Sequence, residues 1–314
     1  MKYSIVLVAS SLLAGSTLAH PMRRSADAVP TKPVTDNPSD PDVLNFALTL
    51  EHLENNFYTG GLAKFTPEDF VNAGLPPWVY GRVQQISAHE AEHVEFLTEI
   101  LGDQAVKPCE YSFPYDDPKS FLHISHALET VGTSAYEGAA KFIQNRDYLM
   151  AAATILGVEA RHSSWLDSAV RKGAAWSTSF DTPLDLNQVF SIAAAFITSC
   201  PPDNTPLPVK AFAPLALVDP NSAAPGNTVT IQWTAPEGYD KSQQLYATFL
   251  TGHEALIVPV NDDGTVQIPD DLIGTVYMLI TTNGEGVDDE TTLAGPLMLE
   301  FPFNSLGQLI TLPF

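Results

Sequence analysis

One pattern occurs twice in this chain and restricts its fold more than any other feature. Leu50-Glu51-His52-Leu53-Glu54-Asn55-Asn56-Phe57-Tyr58 is followed by Glu90-Ala91-Glu92-His93. Leu128-Glu129-Thr130-Val131-Gly132-Thr133-Ser134-Ala135-Tyr136 is followed by Glu159-Ala160-Arg161-His162. A lone Glu on one helix and a Glu-x-x-His pair on the next, repeated, is the ligand set of a buried two-metal centre inside a helical bundle. Glu-x-x-His arises by chance about half a time in a chain of this composition, so the shared register around it carries the reading.

Start and stop signals divide the first two thirds of the chain into helices. Asp40-Pro41 opens a first helix to about Thr59, closed by Gly60-Gly61. Pro76-Pro77 opens a second to Leu101, and Asp117-Pro118 a third to about Asn145. Asp147 caps a fourth that ends near Gly173, and Thr182-Pro183 precedes a fifth from Leu184 to about Thr198. The segment between Leu101 and Asp117 can span about 50 Å when extended, enough for a crossover connection.

The faces of these helices match in pairs. Ile86, Glu90, His93 and Leu97 share a stripe on the second helix, as do Ile155, Glu159, His162 and Leu166 on the fourth. Leu44, Glu51, Glu54 and Tyr58 on the first correspond to Leu122, Glu129, Gly132 and Tyr136 on the third. Carboxylates and imidazoles on an inward stripe are expensive to bury unpaired. Two divalent ions would neutralise four carboxylates and leave both imidazoles as neutral ligands, and oxygen plus imidazole without thiolate suits iron or manganese, with zinc open. The expected ligands are Glu51, Glu90, His93, Glu129, Glu159 and His162, with Tyr58 and Tyr136 donating hydrogen bonds to the carboxylates of Glu51 and Glu129. Glu54 rivals Glu51. His89 has no counterpart at Val158 and is expected to face solvent or pack, His52 and His126 lie off the stripes, and Trp78, Trp165 and Trp176 are assigned to packing.

Residues 1–19 carry Lys2, an apolar run and small residues up to Ala19, the pattern of a cleaved secretory signal too short to anchor in a bilayer. A mature start at His20 is expected, followed by a flexible segment over residues 20–39 in which Arg23-Arg24 could serve a dibasic protease. The helical domain is expected over residues 40–200, a Pro-rich linker over 201–210 and a second domain over 211–314. Seven of the eight His precede Cys200, whereas Thr, Val, Pro and Gly dominate beyond it. The net charge of -22 argues against nucleic acid or anionic membranes as partners. Cys109 and Cys200, an even pair in an exported chain, are most simply one disulfide.

Beyond Lys210 the sequence alternates as strands do, at Thr228–Trp233, Leu245–Leu250, Thr265–Ile268 and Thr275–Ile280. A small β-sandwich of immunoglobulin-like topology is expected, giving an α+β multidomain chain. Asp262-Asp263-Gly264 reads as a hairpin turn, and Asp288-Asp289-Glu290 as a solvated acidic loop rather than a calcium site. Packing on the bundle, binding a wall polymer and serving as a spacer all stay open for this domain.

The segments Ala47–Tyr58, Ile86–Leu97, Ala135–Ala140 and Phe196–Pro201 resemble the secreted ferritin-like proteins of fungi, the stress-responsive or late sexual development group similar to desiccation-related proteins. The resemblance covers residues 40–202 and implies a ferritin-like four-helix bundle with a fifth helix, with the same six ligands at the positions named above. Glu137 departs from it, since an apolar residue is usual there. Two classes of function compete. One is a centre of two Fe or Mn ions that reacts with dioxygen or peroxide, an oxidase, ferroxidase or catalase-like activity. The other is a protective or structural secreted protein, associated with the cell wall, whose polar core is vestigial. A monomer or small homo-oligomer is expected, because iron storage needs a closed shell that a bulky β domain obstructs.

Overall fold

The computed structural model describes residues 29–314 apart from Glu237 and Lys241. The expected signal at residues 1–19, the start at His20 and Arg23-Arg24 lie outside the described residues. The chain is α+β: a helical unit followed by a β-rich one. The helices are α1 (Asp40–Lys64), α2 (Pro67–Asn72), α3 (Trp78–Leu101), α4 (Pro118–Ala140), α5 (Arg146–Trp165) and α6 (Leu186–Ala193). Ser39 with Asp42, Asp117 with Ser120, and Asp185 with Gln188 form reciprocal caps that satisfy otherwise orphaned amides at three helix starts.

Gly60-Gly61 does not end the first helix, which runs on to Lys64. A Cβ on Gly61 would sit 2.1 Å from the Phe121 ring, so this glycine lets α1 and α4 approach closely. The ring of Phe121 stacks on Phe57 at 4.7 Å in that gap. The third predicted helix ends early, at Ala140, and Asn145 rather than Asp147 caps the next, accepting from the amide of Asp147. After Trp165 the backbone widens into a π-helical turn over Leu166–Arg171, and Lys172 adopts a left-handed conformation at φ 71°. The fifth helix is shorter than expected. Ile197–Ser199 forms strand β2 instead, paired antiparallel with β1 (Glu110–Tyr111) beside the Cys109–Cys200 disulfide.

Residues 29–32 pair with the chain at Leu207, through Lys32 N to Leu207 O at 2.8 Å and Leu207 N to Pro30 O at 2.9 Å. Leu207 and Val209, within the Pro-rich segment, are buried in the same core as the bundle helices.

Among the described residues beyond Lys210, seven strands make two sheets: β3 (Leu215–Leu217), β4 (Thr228–Trp233) and β7 (Thr265–Gln267) in one; β5 (Tyr246–Thr251), β6 (Glu254–Pro259), β8 (Gly274–Thr281) and β9 (Thr292–Phe301) in the other. The orders β3-β4-β7 and β6-β5-β8-β9, antiparallel throughout, are those of an immunoglobulin-like sandwich whose fourth strand has joined the second sheet. Asp262-Asp263-Gly264 is therefore a turn between sheets and not a hairpin, because β6 and β7 do not pair. Its tightness comes from Gly264 at φ 77° and from Thr265 N donating to Asp263 Oδ1 at 3.0 Å. Asp288 accepts from Thr291 N at 2.7 Å, and Asp289 accepts from Asn187 Nδ2 at 2.6 Å, which ties this loop to α6.

The two units share a polar seam. Arg171, only 2% exposed, donates to Glu300 Oε1 and Oε2 at 2.7 and 2.8 Å and to His126 Nδ1 at 2.7 Å. Burial alone would raise the Glu300 carboxyl, but the guanidinium charge of Arg171 outweighs it and holds the group well below the usual range. His126 is thus buried in the seam. We expect Arg171→Ala to cost about 2–3 kcal/mol in a chemical denaturation series, below the cost of breaking a fully buried pair, because it strands the partly buried Glu300 carboxylate. Gly61→Ala should cost about 1–3 kcal/mol in the same assay, by overpacking against Phe121.

Candidate metal centre

The six expected ligands converge at the middle of the bundle. Glu51 comes from α1, Glu90 and His93 from α3, Glu129 from α4, and Glu159 and His162 from α5; the four carboxylates are fully buried. Glu90 and His93, one helical turn apart, point the same way, as do Glu159 and His162. His93 Nδ1 lies 3.2 Å from Glu51 Oε2, 3.2 Å from Glu90 Oε2 and 3.4 Å from Glu159 Oε1. His162 Nδ1 lies 3.0 Å from Glu129 Oε2 and 3.3 Å from Glu90 Oε1. Two overlapping groups result, Glu51-Glu90-His93-Glu159 and Glu90-Glu129-Glu159-His162, each with ligand atoms within 4.8 Å of one another. Glu90 and Glu159 belong to both, which is what carboxylates bridging two ions require.

The tyrosines are crossed between the halves. Tyr58 donates to Glu129 and lies 2.6 Å from Ser125 Oγ, while Tyr136 donates to Glu51. A heptad along one helix rises about 10.5 Å, too far for a hydroxyl to reach a carboxylate on its own helix. Antiparallel packing of α1 on α4 brings each Tyr opposite the other half's Glu instead. Burial first, and then the adjacent carboxylates, push both phenols well above 10.0, so both remain donors.

Glu54 is buried but lies in neither four-residue group. Its counterpart on α4 is Gly132, where a Cβ would come within 2.8 Å of Glu159 Oε2 and 3.0 Å of Glu54 Oε1. The duplicated site is therefore unequal: one half supplies an extra carboxylate and the other the space for it. Burial, with Glu51, Glu90 and Glu129 adding to it, raises the Glu54 carboxyl well above its usual range, and burial with the neighbouring acids does the same to Glu159. Glu137 stands apart from both groups; burial and Asp181 lift it to about 7.

His89 does more than face solvent. Its Nδ1 lies 2.9 Å from His162 Nε2 with the rings stacked, so it fixes the imidazole whose other nitrogen faces the carboxylates. The absence of a partner at Val158 hid this, because the contact crosses between α3 and α5. His52 is also tied down, with Nε2 3.0 Å from the Val106 carbonyl. Trp176, assigned to packing, is instead 69% exposed.

The residues fit a pair of metal ions on a geometric ground. Each ring Nδ1 carries at most one hydrogen, yet that of His93 faces three carboxylates. Glu90 Oε1 and both oxygens of Glu159 are buried without a hydrogen-bond partner among the described residues. Unpartnered buried carboxylate oxygens are costly, and cations placed among them would remove the cost.

Residues 39–172 match the family profile described as Ferritin-like domain. Over 180 residues the chain is 30% identical to protein rds1 of Schizosaccharomyces pombe, which covers 56% of this chain and 44% of that protein. The chain thus spans less than half the length of this relative.

Burial would lower His93 and His162, but their carboxylate partners outweigh it and raise them to about 10 and about 9. Charged imidazoles then stabilise the metal-free protein fully below 6.5, the ordinary histidine value, and this contribution is lost as pH rises through about 9 to 10. Denaturant melts of metal-stripped protein should show stability falling across that window; a flat or rising profile would contradict the pairing. Metal uptake at neutral pH should accordingly release protons.

Proposed function

Residues 39–172 form a ferritin-like domain, and on that premise we propose that it holds two iron or manganese ions in an exported protein that disposes of dioxygen or peroxide. The observation carrying this reading is the convergence of four buried carboxylates on two Nδ1 atoms, with three carboxylate oxygens left unpartnered. Two such ions supply the electron chemistry toward an oxidant that no protein side chain in this core provides.

The chain's own groups set the conditions for it. Glu51 and His93 would hold one ion and Glu129 and His162 the other, with Glu90 and Glu159 shared. Tyr136 and Tyr58 orient the carboxylates of Glu51 and Glu129, and His89 orients His162. Ile86, Leu97, Leu122 and Ile155 are buried along the same stripes and keep bulk water from the carboxylates. An apolar cavity of about 20 Å³ is lined in part by Phe46, Leu50, Leu97, Ala135 and Tyr136, the last of which bonds Glu51. It has room for about one water-sized molecule, which suits a small oxidant and not a bulky organic substrate. Export is supported by the leader-like residues 1–19 and by the disulfide. Among the described residues no helix is long and apolar enough to cross a membrane.

A bundle whose polar core is merely a relic would have to satisfy those oxygens without metal. Elemental analysis separates the readings. About two iron or manganese per chain are expected, with loss of at least one in Glu159→Ala and His162→Ala and a matching loss of peroxide or dioxygen consumption. A folded, metal-free protein indifferent to both substitutions would overturn the proposal.

A further inference from the structure

A second cavity, of about 210 Å³, lies at the seam between the helical unit and the sandwich. One water occupies about 30 Å³ of liquid, so this space suits a ring-sized organic molecule. Thr130, Thr133 and Ser134 of α4 line one side and Ser163 and Ser164 of α5 another. The loop carrying Trp176 and Asp181, with Thr275 and Tyr277 of β8, completes the wall.

The walls are rich in acceptors. Thr130, Thr133, Ser134 and Ser164 donate their hydroxyl hydrogens to the carbonyls of His126, Glu129, Thr130 and Ala175 at 2.7, 2.9, 3.0 and 2.7 Å. With that single hydrogen committed, Thr133 and Ser164 keep lone pairs for whatever enters, while Thr130 and Ser134 already accept from Ser163 and Tyr277 at 2.8 and 3.1 Å and have one fewer to offer. Asp167 adds a carboxylate 3.3 Å from Arg171, whose charge it shares with Glu300, and exposed Asp181 is a second acid at the mouth. Trp176 stands there with its indole 69% exposed.

Several ligand classes do not match. No Lys or Arg lines the cavity, so it does not recommend itself to an anion, and no Leu, Ile, Val, Phe or Met lines it, so an apolar ligand gains little. Among the described residues, the acids and imidazoles close enough to share an ion are those of the bundle core, not these. A ligand with many hydroxyl donors arranged on a ring that also has an apolar C–H face would meet every feature: donors for the lone pairs and a flat surface for the indole.

We propose that this cavity binds a neutral saccharide, as a single pyranose or the terminal unit of a glycan. The site is independent of the metal reading, since none of the six expected ligands lines it.

The test uses the full mature chain with glucose, mannose, galactose and N-acetylglucosamine as probes, and choline as the cationic alternative, read by saturation-transfer NMR and tryptophan fluorescence. At least one sugar should show saturable transfer to its ring C–H protons together with a fluorescence change. Trp176→Ala should weaken that binding by about tenfold, the loss of one stacked aromatic contact, whereas Trp176→Phe retains it and Asp181→Ala weakens it. Both side chains are exposed, so an unchanged circular dichroism spectrum and unchanged metal content confirm an intact fold. Failure of all four sugars to saturate, undiminished binding by Trp176→Ala, or a preference for choline would each overturn the proposal.

Discussion

Five carboxylates and two imidazoles packed inside an apolar bundle are the constraint on which the rest of this structure depends. Glu51, Glu54, Glu90, Glu129 and Glu159 are all buried, and His93 and His162 are the imidazoles that face them. Acids so placed repel one another and lose their hydration, costs that no amount of Leu and Ile packing around them reduces. Positive charge at the centre does so, from protonated histidines or from bound cations, as does protonation of Glu54 and Glu159, which burial and the neighbouring acids raise well above the usual range. The crossed Tyr58–Glu129 and Tyr136–Glu51 bonds follow from the same need, since each supplies a donor to the oxygen of the carboxylate that does not face a histidine.

The second unit is not an appendage hung on a tether. Arg171, at the end of the π-helical turn after α5, carries its charge into the seam and meets Glu300 of β9, while Ser134 of α4 lies 3.1 Å from the Tyr277 hydroxyl of β8. Thr130, Thr133 and Ser134 line the seam cavity on the same helix that presents Glu129 to the core. One helix therefore presents Glu129 to the core with one face and lines the seam cavity with another.

Much of this was legible in the sequence because it is periodic. The 3.6-residue stripe placed Glu90 with His93 and Glu159 with His162, and the alternation beyond Lys210 announced strands. What escaped was set by contacts between segments far apart in the chain. Gly61 reads locally as a stop, and only the Phe121 ring against it shows why the helix continues. Ile197–Ser199 reads as the end of a helix until Glu110–Tyr111 lies alongside as its strand partner. The tyrosines pair across helices, His89 reaches His162 from another helix, and Gly132 matters because of the room it leaves beside Glu54. Periodicity names the face a residue occupies; it does not name the partner across the gap.

The proposed centre would hold two ions that share Glu90 and Glu159. Crystals of protein purified without chelator, measured on both sides of the iron and manganese absorption edges, test this directly through the anomalous difference maps. Two peaks are predicted, one among Glu51, His93, Glu90 and Glu159 and the other among Glu129, His162, Glu90 and Glu159. A well-ordered centre with no anomalous density, before and after soaking in ferrous or manganous salt, would contradict it.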